Sequence, residues 1–155
     1  MKALGGAMCA AGIMLAVFGC GEPTKSSYMA WGRETVQKMK ICYHSAVITL
    51  LGMERAKTAK DLSEEIQGLT KWDNELTALI GRYAVAANGC EEQHAALLEL
   101  YREYQEVFQR ATDMKNVGVH VETDGMLETL HSAKTFDDKA EKLLIKFHGA
   151  VHIGK

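Results

Sequence analysis

Proline is nearly absent from this chain: one residue in 155, at position 23. Beyond it nothing in the sequence forbids long helices, because no later residue lacks its backbone N–H. Charge of one sign is also missing. Lysine and arginine number 18 against 20 aspartates and glutamates, for a net charge of −2, and no basic cluster occurs. Nucleic-acid binding calls for a basic stripe, so that class is set aside. There is no GxSxG, HExxH, P-loop, GxGxxG or CxxCH, which removes the readable signatures of hydrolases, metalloproteases, nucleotide binders and covalent c-type haem. Serine is scarce after position 20, occurring at Ser26, Ser27, Ser45, Ser63 and Ser132, none in a nucleophile context. The chain reads as a non-enzyme. At 47% hydrophobic and 25% charged, the composition is that of one ordinary globular domain.

The first nineteen residues stand apart. Lys2 is the only charge before Glu22, and the segment between is apolar and small throughout. It falls slightly short of the roughly 20 apolar residues of a membrane span, and has the positive start and short apolar run of a secretory signal. The segment ends in Val17-Phe18-Gly19-Cys20, followed by the polar, turn-rich GEPTKSS. This resembles the lipobox of bacterial lipoproteins, in which a small residue precedes a cysteine that is diacylated, cleaved and acylated again. The resemblance covers the signal alone. It implies cleavage before Cys20, lipid (palmitate among its chains) on that cysteine, and stable attachment, since two or more acyl chains hold where one does not. Gly21 stands where enteric lipoproteins retained on the inner membrane carry aspartate. The resemblance therefore implies an outer-membrane lipoprotein facing the periplasm or the cell surface. The expected organisation is a signal peptide over 1–19, a lipidated tether over 20–27 and a helical domain over 28–155.

Cleavage after Gly19 takes 19 of the 155 residues and leaves 136, with two cysteines besides Cys20. In an oxidising envelope compartment, Cys42 and Cys90 read as one disulfide. Closing that loop of 48 residues is worth about 4 kcal/mol on a chain-entropy basis.

Helical periodicity dominates the rest. Met29, Val36, Met39, Tyr43, Ala46, Leu50 and Met53 alternate at three- and four-residue spacing from Tyr28 to about Arg55, interrupted at Gly32 and widened by Ala30, Val47 and Leu51. A second helix, capped by Thr58 with Asp61, carries Leu62, Ile66, Leu69, Trp72, Leu76, Ile80, Tyr83 and Ala87, and ends at Asn88-Gly89. A third starts there with Glu91 and Glu92 in its first turn and carries Leu97, Leu98, Tyr101, Tyr104, Phe108 and Ala111. Asp113 to Gly125 reads as an ordered loop in which Val117, Val119 and Val121 alternate. A fourth helical region runs from about Met126 to Phe147 with Leu127, Leu130, Ala140, Leu143, Leu144 and Phe147 inward, and Thr135 with Asp138 as a cap pair that can restart it. The fold class is all-α: an antiparallel bundle of about four helices in a single domain. Cys42 falls midway along the first helix and Cys90 at the start of the third, so their pairing strains a regular bundle.

Ligand sets are few. Cys90 with His94, and His148 with His152, are four apart on one helix face, and Cys42, His44, Cys90 and His94 together make a metal set only if both thiols are reduced. Surface histidines and a disulfide are preferred to it. Helical-bundle cytochromes hold haem between a methionine on the first helix and a histidine on the last, where Met29 or Met39 and His148 stand here. Methionine on such a stripe is usually core filler, so no metal or cofactor is expected. Asp73, beside Trp72 on the apolar stripe, is a lone carboxylate and not an acid–base pair. What remains is binding. Trp31, Trp72, Tyr83, Tyr101, Tyr104, Phe108 and Phe147 are a large aromatic supply for such a bundle, and surplus aromatics serve interfaces. The chain is expected to act by protein–protein binding. Its size, lipid anchor and expected disulfide make it similar in kind to the small helical pilotins of type II secretion, assembly factors or adaptors of secretion and conjugation systems. The alternatives are an immunity or exclusion lipoprotein and a haem- or metal-binding bundle.

Overall fold

Thr24 opens the first helix. Its hydroxyl oxygen accepts the Ser27 backbone N–H at 3.2 Å, the bond of an N-cap. In the computed structural model, which describes residues 24–52, 59–113 and 123–149, α1 spans Lys25–Gly52, α2 Ala59–Ile80, α3 Glu91–Asp113 and α4 Thr123–His148. Among the described residues there is no strand. The fold is the expected all-helical, four-helix, single-domain bundle. Helix α1 begins three residues earlier than the periodicity placed it, within the stretch expected to be tether. The signal segment with Cys20, the Thr58 cap, the Val117–Val121 alternation, His120 and His152 lie outside the described residues.

Helix α1 packs against all three other helices, whereas α2 leans on α1 and barely meets α3. Surrounded in this way, α1 buries Tyr28, Trp31, Thr35, Val36, Met39, Cys42, Tyr43, Ala46, Val47, Thr49 and Leu50. These positions cover most of its circumference, which is why its apolar residues form no single stripe. Tyr43 stacks on Phe136 of α4 with ring centroids 3.7 Å apart. Arg33 donates to the Phe147 carbonyl at 2.9 Å, placing a cation at the C-terminus of α4, and Gly149, with φ +74°, ends that helix.

Four local expectations are corrected. Helix α2 stops at Ile80, not at Asn88-Gly89. After Gly81 the chain tightens, Arg82 N–H bonding to the Leu79 carbonyl and Tyr83 N–H to that of Ile80, and this turn lays the Tyr83 ring 4.9 Å from that of Trp31. Gly89, with φ +74°, turns the chain into α3. Helix α4 begins at Thr123 and runs through Thr135 without a restart; the Thr135 hydroxyl bonds back to the His131 carbonyl instead of capping. Leu98, Leu127 and Leu130 are exposed, and the inner line of α4 is Thr129, Ala133, Phe136, Ala140, Leu143, Leu144 and Phe147. A threonine at an inner position hid that register, and it is tolerated because its hydroxyl donates to the Gly125 carbonyl.

Candidate functional site

The solvent-facing stripe of α1 is Ala30, Glu34, Gln37, Ile41 and Ile48. Its two isoleucines are 54% and 66% exposed, an apolar pair at i, i+7 on the side facing water. Beside Ile48, a groove between α1 and α2 is lined by Ser45, Thr49, Glu65, Gly68, Leu69 and Trp72 and holds about 300 Å³. Trp72, on the apolar stripe of α2 and one of the aromatics assigned to an interface, is 36% exposed here. The Lys38 ammonium sits 5.7 Å from its ring centroid and pairs with Glu75 at 2.6 Å. That arrangement holds the indole in place and draws the Glu75 carboxyl below the usual carboxylate range. Gly68 lies mid-helix, where glycine costs about 1 kcal/mol against alanine. A Cβ there would have no heavy atom of the described residues within 4 Å, so nothing among them requires the missing side chain.

A second groove, of about 210 Å³, lies between α3 and α4 over Ala96, Leu100 and Leu143. Ion pairs span its sides, Lys139 with Glu103 at 2.5 Å and Lys146 with Glu92. Its rim carries Glu99, Glu103, Lys139, Lys142 and Lys146, whereas the α1–α2 groove is edged by the exposed Ile48 and Trp72.

Behind α2 lies a partly buried polar knot. Asp73 accepts hydrogen bonds from the Tyr104 hydroxyl at 3.1 Å and from the Gln105 amide at 2.7 Å. Burial and the Asp73 charge drive the Tyr104 hydroxyl far above its ordinary value. Cys42 is buried against the Trp72 carbonyl, Sγ to oxygen 3.8 Å. Burial, aided by Asp73 and Glu75, pushes its thiol up to about 11, so the protonated, unreactive form prevails. Asp73 thus ties α3 to α2.

At the end of the bundle where α1 starts, Tyr28, Trp31, Tyr83, His94 and Phe147 gather. The Tyr28 hydroxyl lies 2.6 Å from His94 Nδ1. Burial first, then Cys90 and Glu91, push that hydroxyl up to about 12, while burial lowers His94 and keeps its ring neutral. The Trp31 indole N–H donates to the Leu79 carbonyl at 2.6 Å. Cys90 is fully buried in this region, its Sγ 4.0 Å from Met29 Sδ.

The expected disulfide is not seen. Cys42 and Cys90 are both free and buried. Cys90 sits at the level of Met29, thirteen residues before Cys42, a rise of about 20 Å along α1; a disulfide needs Cα atoms within about 7 Å. The same separation dissolves the set Cys42, His44, Cys90 and His94, and His44 instead meets Asp137 at 2.9 Å. Of the haem candidates, Met39 is buried in the core and the His148 Nδ1 donates to the Leu144 carbonyl at 2.8 Å. The sequence reading missed Ile41, Ile48 and Gly68. Their signal was present: two isoleucines off the main stripe at i, i+7, and a glycine inside a helix.

Among the described residues no helix is long and apolar enough to cross a membrane. No family model, no curated protein and no solved structure matches this chain.

Proposed function

We propose that this chain is a lipid-anchored protein of the cell envelope that holds a helix of a partner protein in its α1–α2 groove, as an assembly factor or pilotin-like adaptor of a secretion or conjugation system does. The observation that carries the reading is Gly68. A helix gives up about 1 kcal/mol to keep a glycine there, and among the described residues no heavy atom from another part of the fold lies within 4 Å of where its Cβ would stand. A partner backbone that comes close to α2 at that point explains it. Ile48 and Trp72 flank the position, and an apolar helix face is what such a groove receives. Tryptophan is also among the residues that anchor interfaces.

The anchor rests on the likeness of Val17-Phe18-Gly19-Cys20 to a lipobox, which puts the attachment point just ahead of α1. Residue 48 lies about 35 Å along α1 from residue 25, enough to carry the groove off the bilayer surface when the bundle stands upright on its anchor. Outer-membrane attachment facing the periplasm belongs to the same reading, and no catalytic role is proposed. The disulfide of the pilotins has no counterpart here, so the likeness to them rests on size, helices and anchor.

Affinity capture from the native envelope tests the reading. A specific partner should stay with the wild type and with Leu98→Ala, and be lost with Gly68→Leu and Trp72→Ala. Cys20→Ser should leave the membrane fraction and take up no palmitate label. A partner retained by both groove variants, or a Soret band in the purified material, would overturn it.

A further inference from the structure

Three soft or borderline donors converge at the start of α3. Cys90 contributes a thiol, Met29 a thioether and His94 an imidazole. Cys90 immediately precedes α3, and its carbonyl accepts the His94 N–H at 3.0 Å, which sets the two residues one turn apart at the start of that helix. Met29 enters from α1, with Sδ 4.0 Å from Cys90 Sγ. A trigonal ion with metal–sulfur bonds of about 2.3 Å holds its ligands about 4 Å apart, which is the separation found between these two sulfurs. The Tyr28 hydroxyl occupies His94 Nδ1, leaving Nε2 as the nitrogen free to ligate. A ring held through its other nitrogen is the usual arrangement of a metal-binding histidine.

We propose that Cys90, Met29 and His94 form a binding site for one soft monovalent cation, with Cu(I) the ion that fits. The donor chemistry selects it. A thiolate and a thioether are both soft sulfur ligands, which favour Cu(I). Charge selects it as well. On binding, Cys90 releases its proton to solvent and its thiolate neutralises a monovalent ion, whereas a divalent ion would leave a net positive charge among buried aromatic rings. Tyr28 and Cys90 are fully buried while Met29 and His94 are partly exposed, so the ion enters past the thioether and the imidazole. His94 Nδ1–H then donates to the Tyr28 oxygen.

The test is an anaerobic titration of the full chain in detergent with Cu(I) against a chromogenic Cu(I) chelator. One ion per chain is expected. Cys90→Ser should lower affinity more than 100-fold, and Met29→Leu and His94→Gln about 10-fold each or more. Cys42→Ser, whose thiol lies about 20 Å away, should leave affinity unchanged. Methyl-carbon labelling of methionine gives a readout on the wild-type chain that survives a misfolded variant: Ag(I) should shift the Met29 methyl resonance. Equal affinity in wild type and Cys90→Ser, loss of affinity in Cys42→Ser, or an unmoved Met29 resonance would each overturn the site.

Discussion

The ring of Phe147 occupies the space where a Cβ on residue 32 would stand: built on Gly32, that atom would lie 2.1 Å from Phe147 Cε1. Gly32, an interruption in the apolar series of the sequence, is therefore a contact. It lets α4 close on α1 so that Phe147 is fully buried, its ring centroid 6.3 Å from that of Tyr28. Burying a phenylalanine returns about 1.5–3 kcal/mol, more than the roughly 1 kcal/mol that a helical glycine costs. Gly32→Ala should accordingly destabilise the fold by about 1–3 kcal/mol, as overpacking does. Urea denaturation measures this, and adding Phe147→Leu should restore part of the loss.

Gly68 should behave in the opposite way. With no heavy atom within 4 Å of its absent Cβ, Gly68→Ala should gain about 0.5–1 kcal/mol from helix propensity. A loss in thermal melting would show that the space is occupied by the chain itself.

Removing the Asp73 carboxylate strands two donors. Tyr104 is buried, and its hydroxyl and the Gln105 amide both bond to Asp73 Oδ1. Asp73→Ala should cost about 1–3 kcal/mol. Asp73→Asn, which keeps an acceptor oxygen, should cost less.

The fold should weaken in alkali. Burial raises Cys42 from 9.0 to about 11 and also raises Tyr43 and Tyr104. In each case the folded chain keeps a proton that the unfolded chain releases, so stability falls with rising pH. The contribution of Cys42 is complete below about pH 9 and is lost as pH climbs through about 11. Urea midpoints between pH 7 and 11 should decline across that window and not below it.

Thiol counting should find both Cys42 and Cys90 free in the denatured mature protein, with Cys42 slow to react before denaturation. Unchanged mobility on reduction would agree. A count of zero would mean the two residues had come together across about 20 Å of α1.

Legibility differed from helix to helix. The third, and the fourth from Ala140 onward, were readable because each buries one narrow line, such as Leu97, Leu100, Tyr104, Val107 and Ala111 on α3, whereas Thr129 on the inner line hid the register of the first half of the fourth. Even there Leu98 was counted inward with Leu97, since neighbouring leucines differ by only 100° of rotation and just one of them faces the core. The first helix was readable as a helix but not by face, because three neighbours bury it on most sides. The early stop of α2 at Ile80 left little trace, since Tyr83 and Ala87 keep the helical spacing while serving the turn. The groove was legible in hindsight from Ile41, Ile48 and Gly68. The junction of Met29, Cys90 and His94 was not, because Met29 lies 61 residues from Cys90 in the chain.

Composition and periodicity by themselves determined that the described chain is four helices in one bundle, because apolar spacing, caps and the scarcity of proline act within a few residues of each position. Pairing across the bundle was decided only by tertiary structure. How far α3 is shifted along α1 places Cys90 beside Met29 and away from Cys42. That shift is set by how the rings of Tyr28, Trp31, Tyr83 and Phe147 fill one end. Packing of that kind sums many small contacts over residues far apart in sequence, and no local pattern encodes the sum.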